Sequence, residues 1–184
     1  MIFFDMDGVL SVYEPEAYAY GKEIWLDLDA NYYRHRPPIQ KTMAALKALI
    51  ERDDTSVRVL TTLAHQGSAY LQHRADKLAW LSEHLELPQD RIERLVLFTK
   101  ISKVETATTY LDRPLTRRDI LIDDYNRNLY EWHESGGLAL KFCNGLNDPR
   151  SASELMYIDS AMDERMIVEL TTILSAPDSM ETLC

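Results

Sequence analysis

The 184-residue sequence predicts a doubly wound α/β domain, with helices covering both faces of a parallel sheet. Three observations predict it. Short apolar runs alternate along the chain with amphipathic helical patterns, as strand-helix-strand units require. The middle runs are apolar almost throughout, the pattern of strands buried on both faces. A chain of this length buries one sizeable core and is too short for two.

Five runs read as strands: "IFF" from Ile2, "VRVLT" from Val57, "LVLFT" from Leu95, "ILID" from Ile120 and "LALKF" from Leu138. Helical patterns lie between them. In "PPIQKTMAALKALIER", Ile39, Met43, Leu46 and Ile50 share one face, with Pro38 in the first turn. "GSAYLQHRADKLAWLSEHL" carries Leu71, Leu78, Leu81 and Leu85 on related faces. "YNRNLYEWHESGG" places Tyr125, Leu129 and Trp132 together and ends at Gly136-Gly137, as a left-handed cap requires. Residues 9 to 36 are rich in aromatics and lack a period, which predicts a small helical cap insertion after the first strand. After "LNDPR", residues 151 to 175 predict a C-terminal helix with Leu155, Ile158, Met162 and Met166 on one stripe. Residues 1 to 184 thus form one domain, frayed beyond Pro177.

Composition narrows the function. Apolar residues make up 46% and charged residues 27%, ordinary for a globular protein. A formal net charge of −10 argues against a nucleic-acid polymer as partner, because tracking phosphates needs a basic face. An acidic protein can still hold a small phosphate ester if a metal ion or a few placed lysines supply positive charge. Cys143 and Cys184 form no Cys-x-x-Cys pair, so structural zinc and redox chemistry have no support. No run approaches the roughly 18 apolar residues of a membrane span, and Met1 leads into a charged motif and not a signal peptide. A cytoplasmic location is the expectation.

Ligands of a parallel α/β sheet bind at the carboxyl ends of its strands. The polar residues found there are Asp5 and Asp7, Thr61 and Thr62, Lys100 or Lys103, and Asp123 and Asp124. Carboxylates converging on one edge repel one another unless a cation sits among them, and hard oxygen donors suit Mg²⁺. A hydroxyl and an ammonium beside that metal complete a set for phosphoryl transfer, which is mostly positioning and charge neutralisation. Within "DMDG", residues two apart project to the same side of an extended chain. Asp5 can then act as nucleophile while Asp7 gives and then takes a proton, and Gly8 lets the chain turn away.

Plainer readings compete. Asp5 and Asp7 alone fit a solvated turn, Asp123-Asp124 fits a helix N-cap, and Thr61 and Thr62 fit strand-end β-formers. The presence of acidic pairs at two separate strand ends decides against the first of these. Lys77 and Lys100 are equally consistent with surface positions. The histidines show no metal-binding spacing, and only His65 falls close to a strand-end motif. Tyr13, Trp25, Tyr32 and Tyr33 are candidates for stacking on a nucleobase, against the more common role of packing a small core within the insertion.

"DMDGVL", "VLTT", the lysine region "FTKISK" and "ILIDD" together resemble the four ordered motifs of the haloacid dehalogenase (HAD) superfamily of phosphotransferases, over residues 2 to 124. Within it, "DMDGVL", "YYRHRPP", "DKLAWL" and "LIDDYNRNLYEW" look most like the 5'(3')-deoxyribonucleotidase family. The resemblance implies a Rossmann-like, HAD-like fold and Mg²⁺ as cofactor. It implies Asp5 as the aspartyl-phosphate residue, Asp7 as general acid/base, and Thr61, with Thr62, as phosphate ligands. Lys103 is favoured over Lys100 as the lysine of the site, and Lys77 also matches a lysine of these relatives. The Asp5 carboxylate, the Asp7 carbonyl and Asp124, with Asp123 beside it, would hold the metal. The substrate implied is a nucleoside monophosphate, with another small ester such as a sugar phosphate as the alternative. The residues after Thr62, "LAHQGSA", lack a proline those nucleotidases often carry, and a homodimer stays open. A receiver-type phospho-accepting module orders its acidic groups differently, and a silent binding domain would not need all of these groups intact.

Overall fold

In the computed structural model, residues 1–13, 33–63, 68–145, 154–159 and 161–176 are described. They form a six-stranded sheet of β1 (Ile2–Phe4), β2 (Val57–Thr62), β3 (Val96–Thr99), β4 (Ile120–Asp123), β5 (Leu138–Phe142) and β6 (Met156–Ile158). The spatial order is β3-β2-β1-β4-β5-β6, and every neighbouring pair is parallel. Chain order runs outward from β1 to β3 on one side, then resumes at β4 on the other. The switch point of the sheet therefore lies between β1 and β4, the place where ligands of such sheets bind, beyond the carboxyl ends of the strands.

Helices α1 (Gln40–Asp53), α2 (Ser68–Leu85), α3 (Gln89–Leu95), α4 (Lys103–Leu111), α5 (Asn126–Glu134) and α6 (Glu164–Ser175), with a 3-10 turn at Tyr33–His35, complete the described elements. Pleating separates two cores. Ile2, Phe4, Val57, Val59, Ile120 and Ile122 pack with Met43, Leu46, Leu81 and Ile167, from α1, α2 and α6. Phe3, Leu60, Leu121 and Ala139 face the other way, against Ala107 of α4 and Leu129 and Trp132 of α5. Helices on both faces bury each central strand twice, which is why those strands read as continuous apolar runs.

Several boundaries differ from the sequence reading. Leu95 closes α3, a helix the sequence did not announce, and β3 starts at Val96. Pro38 lies ahead of α1, bridged to Ser11, and Ile39 is the N-cap. Leu71 is exposed on α2, while Leu78, Leu81 and Leu85 are buried. Tyr125 precedes α5 as its N-cap and is exposed.

The largest correction concerns the single helix expected over residues 151 to 175. Met156–Ile158 pairs instead with β5, satisfying backbone groups on the outer side of that strand and becoming the edge strand itself. The helix begins only at Glu164, where the Asp163 carboxylate accepts the Met166 amide at 3.0 Å as an N-cap. Ile158 is buried in the sheet and Met166 is exposed, so the proposed stripe does not form. The cap insertion expected over 9 to 36 falls largely on residues 14–32, outside the described residues. Gly136, with φ +91°, follows α5 as the left-handed residue expected there.

Candidate active site

β1 delivers the first acidic pair. The Asp5 amide donates to the Ile122 carbonyl at 2.9 Å, so the β1–β4 ladder runs up to the catalytic candidate itself. Met6 then turns into the core, and its carbonyl accepts the Leu10 and Ser11 amides at 2.8 and 2.9 Å. This tight turn, continued by Gly8 at φ +84°, keeps Asp5 and Asp7 at the sheet edge. The Thr42 hydroxyl of α1 donates to the Val9 carbonyl at 2.5 Å and anchors the far side of the turn.

β4 delivers the second pair. Carboxylate oxygens of Asp5, Asp123 and Asp124 all lie within 4.8 Å of one another, and all three residues are buried. Three anionic oxygen donors so close, at the switch point of a parallel sheet, are a hard-ligand set of the kind Mg²⁺ takes. The parallel pairing of β1 with β4 brings these acids together, as the rule for strand-end polar residues anticipates.

Lys103 balances part of this charge. Its Nζ lies 2.6 Å from Asp5 Oδ1 and 2.6 Å from Asp123 Oδ2. α4 presents it just inside an N-cap: Ser102 Oγ accepts the Glu105 amide at 3.2 Å, which sets Lys103 in the first turn. Burial alone would depress the Lys103 ammonium, but the Asp123 and Asp5 carboxylates outweigh it and hold the group protonated above its ordinary range. For Asp5 the opposite holds. Burial first, then the nearby Asp123, Asp7 and Asp124 charges, push its carboxyl well above the usual value despite Lys103. A divalent cation would relieve that crowding.

The two acids of β4 have different surroundings. Asp123 accepts the Tyr125 amide at 2.8 Å through Oδ1, and Lys103 and Asn128 Nδ2 at 2.6 and 2.9 Å through Oδ2. It organises the site from behind. Asp124 receives Asn144 Nδ2 at 2.9 Å, and the same amide group donates to the Gly8 carbonyl at 3.1 Å. Asn144 thus ties the two acidic loops together. It follows β5 at the carboxyl edge, so the strand-end rule that selected the other residues also points to it.

Among the lysines, the structure separates the candidates. Lys77, on α2, is fully buried, with Nζ 2.5 Å from Asp7 Oδ2 and 2.7 Å from Thr61 Oγ1. Lys100 sits apart, over the Tyr70 ring at 4.6 Å. Thr61 is buried, whereas the Thr62 residue is exposed and its carbonyl accepts Lys77 at 2.9 Å. Asp7 meets Lys77 with its carboxylate and lies outside the three-carboxylate cluster, so only its main chain is left for the metal role expected of it.

The stacking candidates resolve toward packing. Tyr13 and Tyr33 are buried, and Tyr33 meets His73 edge to face at 5.0 Å. Burial and the neighbouring Lys77 charge lower the His73 pKa. Trp25, Tyr32 and His65 lie outside the described residues.

No protein-family model matches the chain, and no curated protein matches it in sequence. Solved structures do share the fold. A hydrolase from Pseudomonas syringae superposes with a TM-score of 0.59 at 12% identity, covering 95% of this chain and 99% of that one. A HAD hydrolase of family IA from Entamoeba histolytica gives 0.57 at 10% identity, covering 93% and 98%. The D,D-heptose 1,7-bisphosphate phosphatase from B. bronchiseptica, solved with magnesium and phosphate, gives 0.56 at 12%, covering 94% and 97%. At such identities the likeness establishes the HAD-like fold. No helix among the described residues is long and apolar enough to cross a membrane.

Proposed function

We propose that this chain is a Mg²⁺-dependent phosphomonoesterase that works through an aspartyl-phosphate on Asp5. One observation carries the reading: the convergence of Asp5, Asp123 and Asp124 within 4.8 Å, with Lys103 bridging Asp5 and Asp123. An Asp5 carboxylate oxygen attacks the phosphorus, the ester P–O bond breaks, and Asp7 protonates the departing alkoxide. Asp7 then takes a proton from water as that water attacks the acyl phosphate, releasing inorganic phosphate and restoring Asp5. Asp5 and Asp124, with the Asp7 carbonyl, are the groups proposed to hold Mg²⁺, which when bound supplies neutralisation of phosphoryl and carboxylate charge. Lys103 and Thr61 face the phosphoryl oxygens.

The substrate class we propose first is a nucleoside monophosphate, on the strength of the motif resemblance to 5'(3')-deoxyribonucleotidases. The fold likeness to a heptose bisphosphate phosphatase favours a sugar phosphate as the second reading. A phosphatase screen over deoxynucleotides, ribonucleotides, sugar phosphates and an aryl phosphate, with Mg²⁺, separates the two. The Asp5→Asn variant is the control. Retention of near-normal turnover by that variant would exclude the covalent mechanism.

A further inference from the structure

Two buried ammonium groups flank the proposed phosphoryl site, and their hydrogen bonds divide them. A lysine ammonium has three donors. Lys77 spends all three on the protein: Asp7 Oδ2 at 2.5 Å, Thr61 Oγ1 at 2.7 Å and the Thr62 carbonyl at 2.9 Å. The Tyr33 ring, centred 4.5 Å from Nζ, closes a further side of it. Lys103 spends two, on Asp5 and Asp123, and keeps one.

From this donor count we infer that Lys77 is a positioning residue that aims Asp7 and Thr61 and does not itself contact the phosphoryl group. The inference rests on the phosphatase reading of the same site. Each Lys77 bond has a consequence. Holding Asp7 by Oδ2 leaves Oδ1 to handle the proton of the leaving group. Donating to Thr61 Oγ1 fills a lone pair of that hydroxyl and turns its proton away from Lys77, so Thr61 must act as a donor. Tying the Thr62 carbonyl fixes the strand end that carries Thr61. Lys77 is fully buried and comes from α2, a helix distinct from both acidic loops, so the restraint is built into the packing.

The test combines crystallography with kinetics on the full chain. In wild-type crystals soaked with Mg²⁺ and inorganic phosphate, a phosphate oxygen lies within hydrogen-bond reach of Lys103 Nζ, and Lys77 Nζ keeps its three protein partners. In crystals of Lys77→Met, the Asp7 and Thr61 side chains leave their present rotamers. Kinetically, Lys77→Met lowers kcat about a hundredfold, the scale of a misplaced general acid, with KM changed less than about threefold. In an Asp7→Asn background the same change costs under about threefold more, because its main target is already disabled. The double variant also removes the unpaired Asp7 charge, which covers the case in which Lys77→Met alone folds poorly. A phosphate oxygen bonded to Lys77, unmoved Asp7 and Thr61 in Lys77→Met, or fully multiplicative losses would overturn the inference. If wild type hydrolyses no phosphate ester, the phosphatase reading falls, and the two crystal structures still decide the role of Lys77.

Discussion

Gly8 and Asp124 contend for the same space: a β-carbon on Gly8 would stand 2.2 Å from Asp124 Oδ2. Gly8 also holds φ +84°, a conformation that side chains rarely adopt. The missing side chain thus lets the second acidic loop close onto the first. Gly8→Ala should therefore combine backbone strain with displacement of a proposed metal ligand. The expected outcome is loss of about 2 kcal/mol of stability and at least a hundredfold loss of turnover. Urea denaturation and steady-state kinetics measure the two, and a variant that keeps both would show that Asp124 need not sit there.

Lys103 and Lys100, three residues apart, should differ sharply. Removing Lys103 leaves the buried Asp5 and Asp123 carboxylates without their shared cation. Breaking a buried pair of this kind costs roughly 3 kcal/mol or more. Lys103→Met should lose that amount in metal-free buffer, whereas Lys100→Met, on the surface against Tyr70, should stay within about 0.5 kcal/mol of wild type. Equal effects of the two substitutions in denaturant titrations would contradict the assigned positions.

How much of this was legible in sequence follows from the range of each interaction. The first five strands and the strand-end residues could be read because burial on both faces and the parallel-sheet rule act through local patterns. β6 was not, since three residues become a strand only by pairing with the edge of β5. "SELMYIDSAMDERM" has enough apolar spacing to mimic one helix until that partner and the Asp163 cap are known. Lys77 was seen only through a resemblance, because nothing local marks a lysine on a long helix as buried. Its burial depends on Asp7, Thr61 and Tyr33, which lie 16 to 70 positions away in the chain. Asn144 obeyed the strand-end rule and was missed because an amide carries less chemical signal than a carboxylate.

Magnesium should stabilise the protein through the same cluster that burial penalises. Asp5 is held protonation-prone by its surroundings, so a cation bound there relieves repulsion in the folded state alone. Ligand linkage gives about 2.7 kcal/mol at a concentration a hundredfold above Kd, which should appear as a rise in Tm of several degrees. Asp124→Asn should cut this rise by more than half, and exhaustive chelation should abolish both the rise and turnover. A Tm that ignores Mg²⁺ in wild type would remove the metal from the proposed chemistry.

Asp119 offers a pH test outside the Asp5, Asp123 and Asp124 cluster. Burial would raise its carboxyl, but the Arg113 guanidinium, the Thr116 amide and hydroxyl, and the Met1 ammonium outweigh that and lower it from 3.8 to about 2. Arg113 grips it through both oxygens, at 2.6 and 2.9 Å, and the Thr116 amide adds a bond at 2.8 Å. A folded pKa below the unfolded one means the unfolded chain binds the proton more readily. The stabilisation is therefore complete above pH 3.8 and is lost as pH falls through about 2. Asp119→Asn imitates the protonated state and serves as the reference, because the other carboxylates titrate alike in both proteins. The stability gap between wild type and this variant, measured by urea midpoints, should be constant from pH 7 to about 5 and shrink steadily from about 4 toward 2. A gap that does not change across that window would mean the Arg113 and Thr116 bonds add nothing to the ionised form.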